Sequence, residues 1–266
     1  SKNYFLEVFI PNSMKRHLLI LLVLISQNGI GQMKFGTVEY KQITGKEIVD
    51  RNNANSDKNM KDWFTKVAIA AESITYTLNF NTNEACFFAN PILMNSDGID
   101  FNLAATTGRG VLKYYQNNVT KEFRKYNDSK RTGIVIVNNE QKYEWTLVNE
   151  SKIIDGYKCY KATTPLYLHG VRKESYVFSA WYTPEIPVSF GPIGYGGLPG
   201  LILELQNDRA TFFAKKINLA LDKEPEIDKL LSPKSVSKEI YMMMVMGTFS
   251  KEQLEGMKEV EDKDKK

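Results

Sequence analysis

Seven of the ten residues from Gly191 to Gly200 are glycine or proline. Proline has no N–H to give to a ladder, and glycine is entropically costly inside a regular element. This stretch is therefore neither a helix interior nor a central strand. Its flanks are strand-like. Ala180-Trp181-Tyr182 runs into Pro184 and Pro187, and Leu201 to Leu205 follows as a short apolar run. The spacing predicts a strand ending near Tyr182, a bend along a fixed backbone path, and a strand resuming at Leu201. Asn207-Asp208 then turns the chain into Ala210 to Ile217.

The rest of the chain carries the period of two that marks half-buried strands. Val38 and Tyr40 alternate with Thr37, Glu39 and Lys41, while Ile74, Tyr76, Leu78 and Phe80 alternate with Thr75, Thr77 and Asn79. Ala85 to Phe88 returns after the turn at Asn81-Thr82-Asn83. Further strands are expected at 111–115, 120–126, 133–137, 143–148 and 157–162, with a tight turn at Asp155-Gly156. A hairpin is expected to join 163–168 to 174–182 through His169-Gly170. A short helix is expected over 62–71, a polar loop over 50–61 and an irregular stretch over 89–110. Ser232-Pro233 resembles a helix start. Regular short strands without long intervening helices predict a mainly β chain. The expected architecture is an antiparallel curved meander or open half-barrel, with a short helix and a helical carboxyl tail.

Near the amino end, Met14 is followed by Lys15 and Arg16, an apolar run from Leu18 to Ile25, and the small-residue pattern Gly29-Ile30-Gly31. This order is that of a secretory signal peptide, with cleavage expected after Gly31. Eight apolar residues are too few to span a bilayer, which takes about 20. The expected organisation is an upstream extension at 1–13, a signal peptide at 14–31, one β-rich domain at 32–231, and a helical, charged tail at 232–266. Loss of residues 1–31 removes Lys2, Lys15, Arg16 and Glu7, lowering the formal net charge from +4 to +2. So nearly neutral a chain, its charges interleaved, lacks the basic footprint of a nucleic-acid binder.

Catalytic groups are scarce. Two histidines are present; His17 leaves with the signal segment and His169 stands in a turn. No spacing suits a metal shell, so no metal or cofactor is expected. The glycine-rich bend ends in neither Gly-Lys-Ser/Thr nor a dinucleotide fingerprint, and a β-like run follows it where a phosphate cradle would open a helix. Cys86 and Cys159 could pair in an oxidising compartment or remain two buried thiols, and both alternatives stay open. Near the bend, Trp181, Tyr182, Phe190 and Tyr195 are candidates for a binding surface or for core packing. Glu204 is a further candidate there, because it alternates with Leu203 and Leu205 directly after the bend.

Gly197-Leu198-Pro199-Gly200-Leu201-Ile202 is the hexapeptide of the GLPGLI family, which this chain resembles. Gly191-Pro192, the flanking Ala180 to Thr183 and Ile186-Pro187, and Ile154 to Cys159 with Ala162-Thr163 also look like that family's recurring stretches. The resemblance covers Phe35 to about Leu221. It implies an exported Bacteroidetes envelope protein, of a kind often encoded near TonB-dependent outer-membrane receptors, without an agreed activity. The resulting expectation is a periplasmic or secreted protein with a non-enzymatic binding or accessory role and no transmembrane segment in the mature chain. Its expected partner is an outer-membrane receptor or another envelope protein. The alternative is a periplasmic carrier of a lipid or small apolar ligand in the curved sheet, by fold-level analogy with lipoprotein carriers.

Overall fold

The computed structural model describes residues 35–45, 57–92, 99–108, 110, 112–129, 132–139, 143–168, 171–232 and 235–247. The expected signal peptide at 14–31, the expected turn at His169-Gly170 and the charged end of the tail lie outside these residues. By its contacts the chain divides into Ser1–Lys34 and Phe35–Lys266, and all described residues belong to the second unit.

That unit is built on one open twelve-stranded sheet. Two meanders make it. The first runs through β1 (Phe35–Thr44), β2 (Thr75–Asn81), β3 (Glu84–Ala89), β4 (Lys113–Asn117), β5 (Phe123–Ser129) and β6 (Gly133–Asn139). The second runs through β7 (Thr146–Ile154), β8 (Tyr157–Leu168), β9 (Val171–Thr183), β10 (Leu201–Gln206) and β11 (Ala210–Asn218). Antiparallel pairing of β1 with β11, from Thr37–Asn218 to Thr44–Ala210, joins the two. The short β12 (Ser235–Ser237) adds a parallel edge beside β6. The sheet is thus mainly antiparallel, mixed at one edge, and unclosed.

The alternation read from the sequence sets the faces. In β1 and β2 every second residue is buried, which puts Val38, Tyr40, Tyr76, Leu78 and Phe80 on one face. Phe87, Tyr114 and Phe212 join them, and ring contacts link Tyr40, Tyr76, Phe87 and Phe212 at 5.4–6.4 Å. Helix α1 (Lys58–Ser73), capped by Asp57, and helix α2 (Phe101–Thr106), capped by Asp100, contact each other, and α1 contacts β1. Tyr76 donates its hydroxyl to the carbonyl of Ala105 at 3.0 Å, which ties α2 to the sheet. On the other face the segment after β11 crosses the first meander. There Leu230 packs on Tyr115 and Ile136, and Asn79 donates to the carbonyl of Glu226.

Several expected boundaries shift. The first helix starts at Lys58, inside the stretch read as loop, because Asp57 provides the cap. Part of the stretch read as irregular forms α2. Strands expected at 157–162 and 163–168 are one strand, and Pro165 sits where the β8–β9 register slips, a position at which a sheet tolerates proline. The carboxyl helix, α3 (Lys238–Met246), is capped by Ser237 rather than starting at Ser232, and β12 precedes it in the sheet. The turn at Asp155-Gly156 forms with φ of 48° and 82°, the left-handed pair of a tight hairpin.

The bend depends on a close backbone approach at Gly200. A Cβ there would overlap the carbonyl oxygen of Thr183 and crowd Pro184 N at 2.8 Å. Replacing Gly200 by Val is expected to destabilise the fold by about 3 kcal/mol or more in urea unfolding. Gly133→Asn keeps a positive-φ position with open space around it and should stay within about 1 kcal/mol of wild type.

Candidate functional site

The residues singled out around the bend fall on two faces of the sheet. Tyr182, Phe190, Leu198, Leu201 and Ile202 are buried. Gly191 and Pro192 are buried as well, while Gly197 and Pro199 are exposed at the surface of the bend. The backbone of the bend is bonded to itself: Leu201 N–H donates to Ile186 O at 3.0 Å, Ile202 N–H to Phe190 O at 2.9 Å, and Gly197 N–H to Ser189 O at 3.2 Å. Ile193 takes a left-handed conformation at φ 47°, a strained choice for a β-branched residue, and its side chain is buried.

Two residues not foreseen as site members hold this path. The chain leaving β6 reaches β7 at the far edge of the sheet and on the way passes the bend. Tyr143 donates its hydroxyl to Gly194 O at 2.9 Å, and Trp145 donates Nε1–H to Gly196 O at 2.9 Å. Tyr195 stacks on Tyr143 with ring centroids 4.4 Å apart and also contacts Trp145 and Phe178. Burial raises the Tyr143 phenol well above its ordinary range, so it remains a donor. The aromatic pair separated by one residue was visible in the sequence. The period of two read it as strand, because nothing local says that its partners lie some fifty residues ahead.

Trp181 and Glu204 face the other way. They stand directly opposite each other across β9 and β10. Lys152 of β7 reaches both, with Nζ 2.7 Å from the Glu204 carboxylate and 4.4 Å from the Trp181 ring centroid. Lys161 lies 5.7 Å from the same ring and donates to both carboxylate oxygens of Glu150 at 3.0 Å. The result is a half-buried indole set among paired charges of both signs. Side-chain exposures of 36% for Lys152 and 24% for Glu204 leave the pair open to screening, so it contributes little to stability. An aromatic edge with a charged rim is instead suited to contact with a protein surface.

Cys86 and Cys159 are both free and buried. The disulfide left open by the sequence is absent for a topological reason: β3 and β8 stand six places apart in the sheet, at about 4.8 Å per place. Burial pushes the Cys86 thiol up to about 12 and the Cys159 thiol up to about 11. Among the described residues no group of three or more His, Cys, Asp or Glu side chains is placed to hold a metal ion. No helix among them is long and apolar enough to cross a membrane.

Comparison with known proteins bears on the same segment. A family model described as "Protein of unknown function (Porph_ging)" matches residues 168–204, which cover β9, the bend and the start of β10. The match is confined to that stretch. No curated protein matches the chain. Two solved structures of PNGF-II, in its C2 and P21 crystal forms, are similar at 16% and 15% identity with TM-scores of 0.48 and 0.49. Each comparison covers 80% of this chain and 33% of the other, so the chain spans about a third of PNGF-II.

The thiols give a direct check. A thiol reagent at pH 8 should find no fast-reacting cysteine in the native protein and two after unfolding in urea without reductant. Two unreactive cysteines in the unfolded chain would mean a disulfide.

Proposed function

We propose that this chain is a GLPGLI-type protein exported to the bacterial envelope, where it binds a protein partner and performs no chemistry of its own. The partner is a component of an outer-membrane uptake system. Export is supported by the basic, apolar and small-residue order of residues 14–31, and the family reading by the hexapeptide at 197–202 within the segment that the family model matches. The observation that carries the binding role is the patch centred on Trp181. Here an indole lies on the face opposite the aromatic core, with Lys152, Lys161, Glu150 and Glu204 arranged around it.

The bend supports that patch by holding β9 against β10, which sets Trp181 opposite Glu204. A carrier of an apolar ligand draws less support, because Tyr40, Tyr76, Phe87 and Phe212 fill the core face with the chain's own rings.

A photo-crosslinking residue in place of Ser179, two residues from Trp181 on the same face, tests the surface in the native envelope. One defined protein adduct is expected, lost when Trp181→Ala is added and the fold is intact by circular dichroism. An adduct pattern indifferent to Trp181→Ala would remove the patch from the interface. The exported chain should begin at Gln32 by amino-terminal sequencing.

A further inference from the structure

The two edges of the sheet are finished differently. At one edge β12 adds to β6 and leads directly into α3. At the other, β7 pairs with β8, and among the described residues no strand lies along its outer side. This edge is nine residues long, and its Leu147 and Ile153 are 63% and 66% exposed. A long open edge presents unpaired amide and carbonyl groups to any strand that fits it.

The side chains of β7 decide which strand fits. Val148, Lys152 and Ile154 pair with Lys161, Cys159 and Tyr157 of β8, and Lys161 in turn pairs with Trp181. Directly paired residues share a face, so these three stand on the face that carries Trp181. Glu150 accepts from Lys161 and belongs to the same face. Val148 pairs with Lys161 but Ser151 with Tyr160, so β7 holds two extra residues there, an even number, and alternation is kept. Along this face β7 reads Val148, Glu150, Lys152, Ile154: apolar, acid, base, apolar. Laid antiparallel on itself about Ser151, the row sets Val148 opposite Ile154 and Glu150 opposite Lys152 throughout. Opposite charges and apolar side chains placed directly across from each other are what stabilise a strand pair. On the other face, Leu147 comes diagonally to Ile153 of the second copy.

We infer that β7 is a dimerisation edge, on which a second copy of this chain pairs antiparallel about Ser151 and joins two sheets into one. A two-fold axis makes every contact occur twice, so a strand used in this way has to complement itself. Within each chain Lys152 is bound to Glu204 and Glu150 to Lys161. Pairing links those couples into an alternating row: Glu204 and Lys152 of one copy, then Glu150 and Lys161 of the other. The same charges disfavour other strands. An apolar strand leaves Glu150 and Lys152 facing no opposite charge, and a strand of one sign repels one of them. A single strand pair is a small interface, so the dimer is weak and concentration-dependent. The edge lies beside the Trp181 face, and the inference does not rest on a partner docking on that face.

Sedimentation of the purified chain from micromolar to millimolar concentration should show a monomer–dimer equilibrium. Glu150→Lys and Lys152→Glu, both at partly exposed positions, should each weaken it at least tenfold by setting like charges opposite each other, with the fold intact by circular dichroism. Mixed in equal amounts, the two variants should pair with each other, because every charge again meets its opposite. Local damage to either variant could not produce that recovery. The register has its own check. Ser151 faces its own copy with Cα atoms about 4.5–5.5 Å apart, within disulfide reach. Ser151→Cys should therefore give a disulfide-linked dimer under mild oxidation, while Asn149→Cys should not. The inference is overturned by a monomer at every concentration, by a dimer indifferent to both charge variants, by no recovery on mixing them, or by failure of Ser151→Cys to crosslink.

Discussion

The architecture rests on the backbone passing within contact distance of itself at the bend between β9 and β10. Gly191 lies where a Cβ would meet Ile202, and Gly200 where one would meet Thr183. Gly194 faces the Tyr114 and Phe123 rings with φ of +77°. These contacts explain why glycine and proline are concentrated there. The bend has to be thin enough to lie against the core and stiff enough to stay there. Its own hydrogen bonds, and the two donated by Tyr143 and Trp145, satisfy backbone groups that strands or water would otherwise take up.

Much of this could be read from the residues. Alternation marks β1 and β2 nearly to their ends, the apolar run after the bend marks β10, and Asp155-Gly156 and Asn207-Asp208 turn where turn chemistry places them, the second leading into β11. What escaped was non-local. Whether Trp181 and Tyr182 share a surface depends on the pleat, which sends them to opposite faces of β9. Whether Glu204 is an isolated acid depends on Lys152, brought to it by strand order and by a register slip in β7. The cysteines needed the same knowledge, because a sheet position cannot be counted along the chain.

The two faces handle charge differently. Around the second meander, charges sit on the outer surface in pairs that gather about an indole, and around the first meander they tie the segment after β11 to the strands. The core face is aromatic and its phenols are used as donors. Tyr40 donates to Ile202 O at 2.6 Å and so connects β1 directly to the strand that follows the bend. Lys125 differs from these pairs, its half-buried ammonium lying 5.4 Å from the Phe123 ring centroid and 5.6 Å from that of Tyr114.

The union of β1 with β11 has a consequence for how the chain comes to be folded. Each meander pairs neighbours in sequence and can form as it emerges, but β1 waits for a strand that follows almost the whole of the remaining sheet. Until then its outer edge presents open amide and carbonyl groups, the usual template for pairing with another molecule. Synthesis from the amino end delivers β1 long before β11, so every chain passes through that half-built stage. Chaperoning of the nascent form and fast delivery of its last strands therefore matter more for this topology than for a simple up-and-down meander of the same size.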